Sequence, residues 1–206
     1  MSSKRPGSGR VPVLPGLVLC SATAGELGDL PGVTIGIGLC DALIGMTRSV
    51  LPLNPDFVVF VGTAGALPGS GLQIGQVICA SSVRLGDAAL ALGLGYVPTP
   101  AGVHTGVAIE GLAYVDVVTN LSITSDPDLA VRHAQTAEVE HMEAYAVAHA
   151  CHSRRINWAC ILGIANVVGP DAHAEWTANH VGCEAAARDV ARRCHRPGSL
   201  IPRPPP

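Results

Sequence analysis

Six short apolar runs, too brief to be buried helices, constrain this chain more than any other feature of its sequence. They fall at residues 17–21, 33–36, 56–62, 76–80, 115–123 and 158–165, and the clearest contains Phe57-Val58-Val59-Phe60-Val61. A strand with one wet face alternates polar and apolar residues, so runs without alternation read as strands covered on both faces. Helical patterns lie between some of them. Segment 39–51 places apolar residues at 39, 43, 46 and 50, segment 142–152 is Ala-rich and free of Gly and Pro, and 176–195 reads as the last helix. Strands alternating with helices predict an α/β fold, a three-layer sandwich around a central mixed β-sheet. Ligands of such sheets collect beyond the carboxyl ends of the strands, which directs attention to the residues just after each run.

Composition narrows the function. The 206 residues suffice for one domain with a real core, and 13 Lys and Arg against 16 Asp and Glu leave a formal net charge of −3. Without a basic field to hold a phosphate backbone, nucleic acid is not expected as a partner. No apolar run approaches the roughly 20 residues that span a bilayer, so no membrane segment is expected. Lys4, Arg5 and Arg10 precede an apolar stretch that Pro12, Pro15 and Gly16 interrupt, which is a poor signal peptide. The seven Cys are odd in number and lack a C-x-x-C spacing; they are expected as reduced core thiols of a cytoplasmic protein, with no metal site. The Pro/Gly-rich ends, 1–12 and 196–206, are expected to be disordered and unable to join a sheet, leaving 13–195 as the domain.

Four segments place small or polar residues directly after a strand. In Cys20-Ser21-Ala22-Thr23-Ala24-Gly25-Glu26 an acid sits in the first helical turn, either as a partner of the helix dipole or as a functional carboxylate. Gly36-Ile37-Gly38 precedes a helix and reads most simply as a turn. Gly62-Thr63-Ala64-Gly65-Ala66-Leu67 follows the strongest strand, and its small residues let a ligand approach the main chain while Thr63 offers a hydroxyl. Glu140-His141-Met142-Glu143-Ala144 opens an apolar helix, with Glu143 placed either to cap it or to bind a pair of ligand hydroxyls.

Taken in this order, the segments resemble the purine nucleoside phosphorylase/uridine phosphorylase superfamily, and most closely its nucleosidase branch, over residues 17–190. In methylthioadenosine/S-adenosylhomocysteine nucleosidases a G-A-M-E-E-E segment ends in the glutamate that activates water, and the resemblance puts Glu26 in that place. The family's G-S-A-G-G-L reads Gly62-Thr63-Ala64-Gly65-Ala66-Leu67 here, which makes Thr63, Ala64 and Gly65 substrate-binding positions. Its V-E-M-E-A element looks like residues 140–144, implying that Glu143 binds ribose hydroxyls and Met142 packs on the sugar. The family's I-S-D strand end, whose aspartate protonates purine N7, reads Ile164-Ala165-Asn166. A neutral amide cannot supply that proton, but it can donate and accept hydrogen bonds; the 6-oxopurine phosphorylases of the family use Asn at this place, so the resemblance implies hypoxanthine or guanine as the base. Asn166-Val167-Val168-Gly169-Pro170 with Trp176 is similar to the corresponding segment of futalosine hydrolases, enzymes of menaquinone synthesis that release hypoxanthine.

The resemblance therefore implies a catalytic pair, Glu26 and Asn166, a small-molecule purine nucleoside as substrate, no cofactor, and a homo-oligomer, most simply a dimer. Two other readings stay open: a phosphorylase using phosphate as nucleophile, and a degenerate protein that binds nucleosides without turning them over. Phosphate needs cations, and the candidates are few. Arg48 reads as a solvated helix charge, whereas Arg84, with Asp87, falls in a segment that contributes to the site rim or a dimer contact in the family. The stretch from Gly95 to Glu140 is short of a helix and longer loops by comparison with the family, which reduces the expected cover over the base; His104 and Tyr96 lie in it and read as ordinary loop residues, with base stacking or a partner contact as the other reading.

Overall fold

A computed structural model describes residues 16–194 and 200–201. The first strand, β1 (Leu17–Ser21), is followed by a single turn of helix, α1 (Ala24–Leu27), the short β2 (Val33–Thr34), and α2 (Gly38–Gly45). This helix runs on through a π turn (Met46–Val50) and a 3-10 turn (Leu51–Leu53) into β3 (Phe57–Ala66). Next come β4 (Val77–Leu85), α3 (Ala88–Ala91), β5 (His104–Thr105), β6 (Ala108–Ile109), β7 (Ala113–Thr119) and α4 (Pro127–His133). The chain closes with β8 (Val139–His141), α5 (Ala144–Ser153), β9 (Asn157–Val167), α6 (Ala172–Cys194) and β10 (Leu200–Ile201).

The sheet is mixed, as expected, and its pairings return on themselves. Strand β3 pairs with β8, β8 with β7, β7 with β4, β4 with β9, and β9 again with β3. The β2–β1 pair extends this ring beyond β3, and β5 extends it beyond β4. Both faces are covered, which explains the unbroken apolar runs. On β3, Val58 and Phe60 pack with Met46, Val50 and Val147 on one side, while Val59 and Val61 pack with Ala187, Val190 and Ala191 of α6 on the other. Full burial of such side chains contributes about 1.5–3 kcal/mol each. The three layers are thus α2 and α5, the sheet, and α6.

Several element bounds differ from the sequence expectation. Strands β3 and β9 have 10 and 11 residues because their last turns, small or polar in sequence, keep pairing with each other. Segment 39–51 buries Ala42, Met46 and Val50 and leaves Leu43 38% exposed, since the π turn rotates the apolar stripe. In the stretch expected to be short of a helix, α4 is present: it begins at Pro127 behind the cap of Asp126 Oδ1 on Leu129 N, and it buries only Ala130 and His133, too few positions to show a period. The expected tail 1–12 lies outside the described residues, as does most of 196–206. Within the latter, Leu200–Ile201 pairs antiparallel with Ala108–Ile109, so this tail does join a sheet: two residues with their own N–H groups suffice before Pro202. Among the described residues no helix is long and apolar enough to cross a membrane. All seven thiols are free, six of them buried and Cys40 exposed.

Candidate active site

All seven residues that the sequence singled out line one cavity of about 540 Å³: Glu26, Thr63, Ala64, Gly65, Met142, Glu143 and Asn166. It opens beyond the carboxyl ends of β1, β3 and β9, where an α/β sheet is expected to bind ligands.

Glu26 fills two roles at once. Its Oε2 accepts the backbone N–H of Thr23 at 2.9 Å and the Thr23 hydroxyl at 3.4 Å, closing a capping box on α1. Its Oε1 accepts no hydrogen bond among the described residues and lies over Gly62, where a Cβ would stand 3.1 Å away. Burial pushes the carboxyl up from its ordinary 4.5 to about 7; Thr23 N–H opposes the rise, and the neighbouring carboxylates of Glu143 and Glu184 add to it. A carboxyl tuned near neutrality with one free oxygen is suited to general-base work.

Glu143 does not cap its helix. Its Oε1 reaches across the cavity wall to accept the N–H of Gly38 at 2.6 Å, so the Gly36-Ile37-Gly38 turn serves to hold this carboxylate. The cap of α5 is supplied instead by His141, whose Nδ1 accepts from Glu143 N and Ala144 N, and by Thr119 Oγ1, which accepts from Tyr145 N. Glu140, beside it, is satisfied internally. It accepts from Asn120 Nδ2 at 2.7 Å and from Thr124 N at 2.9 Å, which fixes the loop that brings Ile123 to the cavity.

Asn166 owes its position to an irregularity in the sheet. Strands β3 and β9 run in register from Phe57 opposite Asn157 to Ala64 opposite Ile164, then shift so that Gly65 faces Asn166. The bulge leaves Ala165 as the extra residue and re-aims the amide beyond it. Gly65 is required there: a Cβ would lie 2.8 Å from Asn166 Nδ2 and 2.8 Å from Val168 Cγ2. Helix α6 locks the bulge, with Asn179 Nδ2 donating to Ala165 O at 3.3 Å and Glu175 Oε2 accepting Val167 N at 2.7 Å. Asn166 Nδ2 itself donates to Val167 O at 3.2 Å.

The same helix supplies Trp176, which the sequence matched to the futalosine hydrolase segment, and with it His173, His180 and Glu184, which the sequence did not single out. Trp176 Nε1 donates to Thr63 Oγ1 at 3.1 Å, and the indole stacks on His180 (4.2 Å between centroids) and, more distantly, on His173 (6.2 Å). Their spacing, three and four residues along one helix, was the available signal. Glu184 lines the cavity and pairs with Arg188 at 3.6 Å, and Arg188 Nη1 also donates to Gly25 O at 2.8 Å. Arg188 thereby ties α6 to the turn that carries Glu26.

Other expectations fall elsewhere. Arg48 is exposed. Arg84 approaches Asp116 at 4.0 Å and lines a different cavity, of about 520 Å³, with Ser70 and Glu138. His104 is buried against His149, with 3.2 Å between ring nitrogens, while Tyr96 is 85% exposed, and neither lines the site.

Comparison with known proteins agrees with this fold. The family model of the phosphorylase superfamily matches residues 20–196. A 5′-methylthioadenosine/S-adenosylhomocysteine nucleosidase of Chromohalobacter salexigens is 30% identical over 169 residues, covering 70% of this chain and 72% of the relative. Among solved structures, the fold matches the corresponding Helicobacter pylori nucleosidase in complex with a substituted pyrrolidin-3-ol at a TM-score of 0.74, with 15% identity and 85% and 95% of the two chains covered. It matches native futalosine hydrolase of H. pylori at 0.74, with 16% identity and the same coverage. It matches a Colwellia psychrerythraea nucleosidase in complex with adenine at 0.73, with 17% identity and 87% and 93% covered. The chain belongs to the phosphorylase superfamily, and the relatives named above are nucleosidases and a futalosine hydrolase.

Proposed function

We propose that this chain hydrolyses the N-glycosidic bond of a purine nucleoside whose base carries oxygen at position 6, futalosine among them, and releases the free base. The observation that carries the reading is the convergence of Glu26, Glu143 and Asn166 on one cavity, with an amide where β9 ends. Departure of the base leaves an oxocarbenium-like sugar. Glu26 Oε1, with its carboxyl titrating near neutrality, takes a proton from the attacking water. Glu143 binds ribose hydroxyls and Met142 packs against the sugar. Asn166 meets the departing base at N7 and O6, and fixed dipoles of this kind stabilise the base as it leaves as an anion; the base takes up a proton from solvent, to which Glu26 returns the one it gained from water.

Water as nucleophile is supported by the charges. The cavity is lined by Glu26, Glu140, Glu143 and Glu184, and among the described residues no Lys or Arg lines it. A phosphate dianion would face repulsion there with no guanidinium to offset it. A homodimer belongs to the same reading, supported by the apolar Ile37, 62% exposed at the cavity mouth, and so does a cytoplasmic setting. The test is release of free base from inosine, futalosine and 5′-methylthioadenosine, with and without phosphate. Hypoxanthine released without phosphate is the expected result. Strict phosphate dependence would establish the phosphorylase reading, and adenine release alone would overturn the assignment of the base. Nucleoside binding with no turnover, unchanged in Glu26→Gln, would establish the binding-only reading.

A further inference from the structure

His141 ends β8 beside Glu143, and its side chain is only 2% exposed although the residue lines the cavity. Its Nδ1 accepts two backbone hydrogen bonds at the start of α5, from Glu143 N at 2.9 Å and Ala144 N at 3.0 Å. Two N–H groups aimed at one ring nitrogen leave no place for a proton on it. The imidazole is therefore neutral, and its single proton sits on Nε2. Glu143 Oε2 also lies 3.3 Å from Nδ1, but an ion pair there would require the ring to surrender both helix amides. Burial acts in the same sense, holding the ring below its ordinary pKa against the opposing pull of Glu143 and Glu140.

The remaining N–H has no acceptor among the described residues. Phe60 stands edge-on to the ring at 5.3 Å and 87°. The Phe60 ring and Glu26 Oε1 both border Gly62, where an added Cβ would stand 2.9 Å and 3.1 Å from them. His141 thus stands among the residues that line the cavity, with an accessible donor from which no described residue accepts.

We propose that His141 is a specificity-determining residue: through Nε2–H it donates to a ribose hydroxyl oxygen whose own hydrogen is taken by Glu143. One donor and one acceptor side by side read a hydroxyl completely, whereas two carboxylates would compete for the same hydrogen. The proposal rests on the nucleoside reading above and goes further, in requiring a ribose and not a deoxyribose at one position.

The side-chain pair that tests it comes from the geometry. In His141→Asn the amide oxygen replaces Nδ1 as acceptor for α5, but the Nε2–H donor is gone. In His141→Gln an amide N–H reaches the Nε2 position. We expect His141→Asn to melt close to wild type and to lose roughly 10–100-fold in kcat/KM on inosine, mainly through KM. Its preference for inosine over either the 2′-deoxy or the 3′-deoxy analogue should collapse, and His141→Gln should recover part of it. Wild-type kcat/KM in His141→Asn, or an equal loss on inosine and both deoxy analogues, overturns the proposal. An independent readout is ¹⁵N NMR of histidine-labelled wild type, which should show a neutral ring protonated at Nε2 whose signal moves on titration with inosine. A proton on Nδ1, or bound inosine that leaves Nε2 unmoved, overturns the proposal whatever the turnover. A wild type that binds inosine and moves Nε2 without cleaving it defeats the hydrolase reading alone.

Discussion

Replacing Glu26 by Gln should stabilise the protein at neutral pH while abolishing its chemistry, and the size of the gain can be worked from the site. The Glu26 carboxyl ionises near 4.5 when unfolded and near 7 when folded, because burial and the carboxylates of Glu143 and Glu184 outweigh the Thr23 N–H. A raised folded pKa means that the folded state binds the proton more tightly. The associated stability is fully present below about pH 4.5 and is lost as pH rises to about 7. At 1.36 kcal/mol per tenfold, ionised Glu26 costs under about 1 kcal/mol at pH 5 and about 3 kcal/mol above pH 7. Glutamine keeps an oxygen for Thr23 N–H and carries no charge, so its stability lacks this slope. Urea denaturation of both proteins from pH 5 to 8.5 should show a gap that opens by about 2 kcal/mol in favour of Glu26→Gln and then levels off. The same variant should lose at least about 10²-fold in kcat, while wild-type kcat/KM rises with pH to a plateau above about 7. A gap that stays flat with pH, or a variant that keeps its turnover, would refute the assignment of Glu26 as a buried base.

Three further outcomes test the surrounding structure. Gly65→Ala places a methyl 2.8 Å from Asn166 Nδ2 and Val168 Cγ2; it should cost about 1–3 kcal/mol in denaturant melts and lower kcat/KM by more than its effect on KM. Asn166→Asp offers a protonatable group to the departing base, so the ratio of kcat/KM for adenosine to that for inosine should rise about tenfold or more, and an unchanged ratio would remove Asn166 from the base site. Arg188→Ala frees Glu184 from its partner and releases Gly25 O from α6; the acid limb of the pH–rate profile should move upward, because a less compensated Glu184 disfavours ionised Glu26.

The sequence was most legible where one physical demand fixed both composition and position. Phe57-Val58-Val59-Phe60-Val61 could only be a strand buried on both faces, and Val58 and Val59 do face different layers. The small residues after it, Thr63 to Gly65, and the acids at 26 and 143 were visible as departures from an apolar background, which is why the family's motifs could be matched to them together. Devices built from pairs distant in sequence were illegible. Nothing in Ala165 announces a bulge, because the register shift exists only relative to Gly65 on another strand. Gly38 looks like a plain turn until Glu143, 105 residues away, accepts its N–H. Arg188 was not singled out at all, because its hydrogen bond to Gly25 O joins residues 163 apart in sequence.

The carboxylates connect the fold to the chemistry. A cavity lined by four glutamates would be costly if all stood alone, and the fold resolves the problem unequally. Glu140 is spent on the loop at Asn120 and Thr124, Glu184 is balanced by Arg188, and Glu143 is held by the N–H of Gly38. Glu26 combines burial with two carboxylate neighbours and an oxygen that accepts no hydrogen bond among the described residues, and burial above all lifts its carboxyl to about 7. The acid with a free oxygen and a raised pKa is thus the one best poised to accept a proton, and changing the charge of Glu143 or Glu184 should act on the reaction through Glu26.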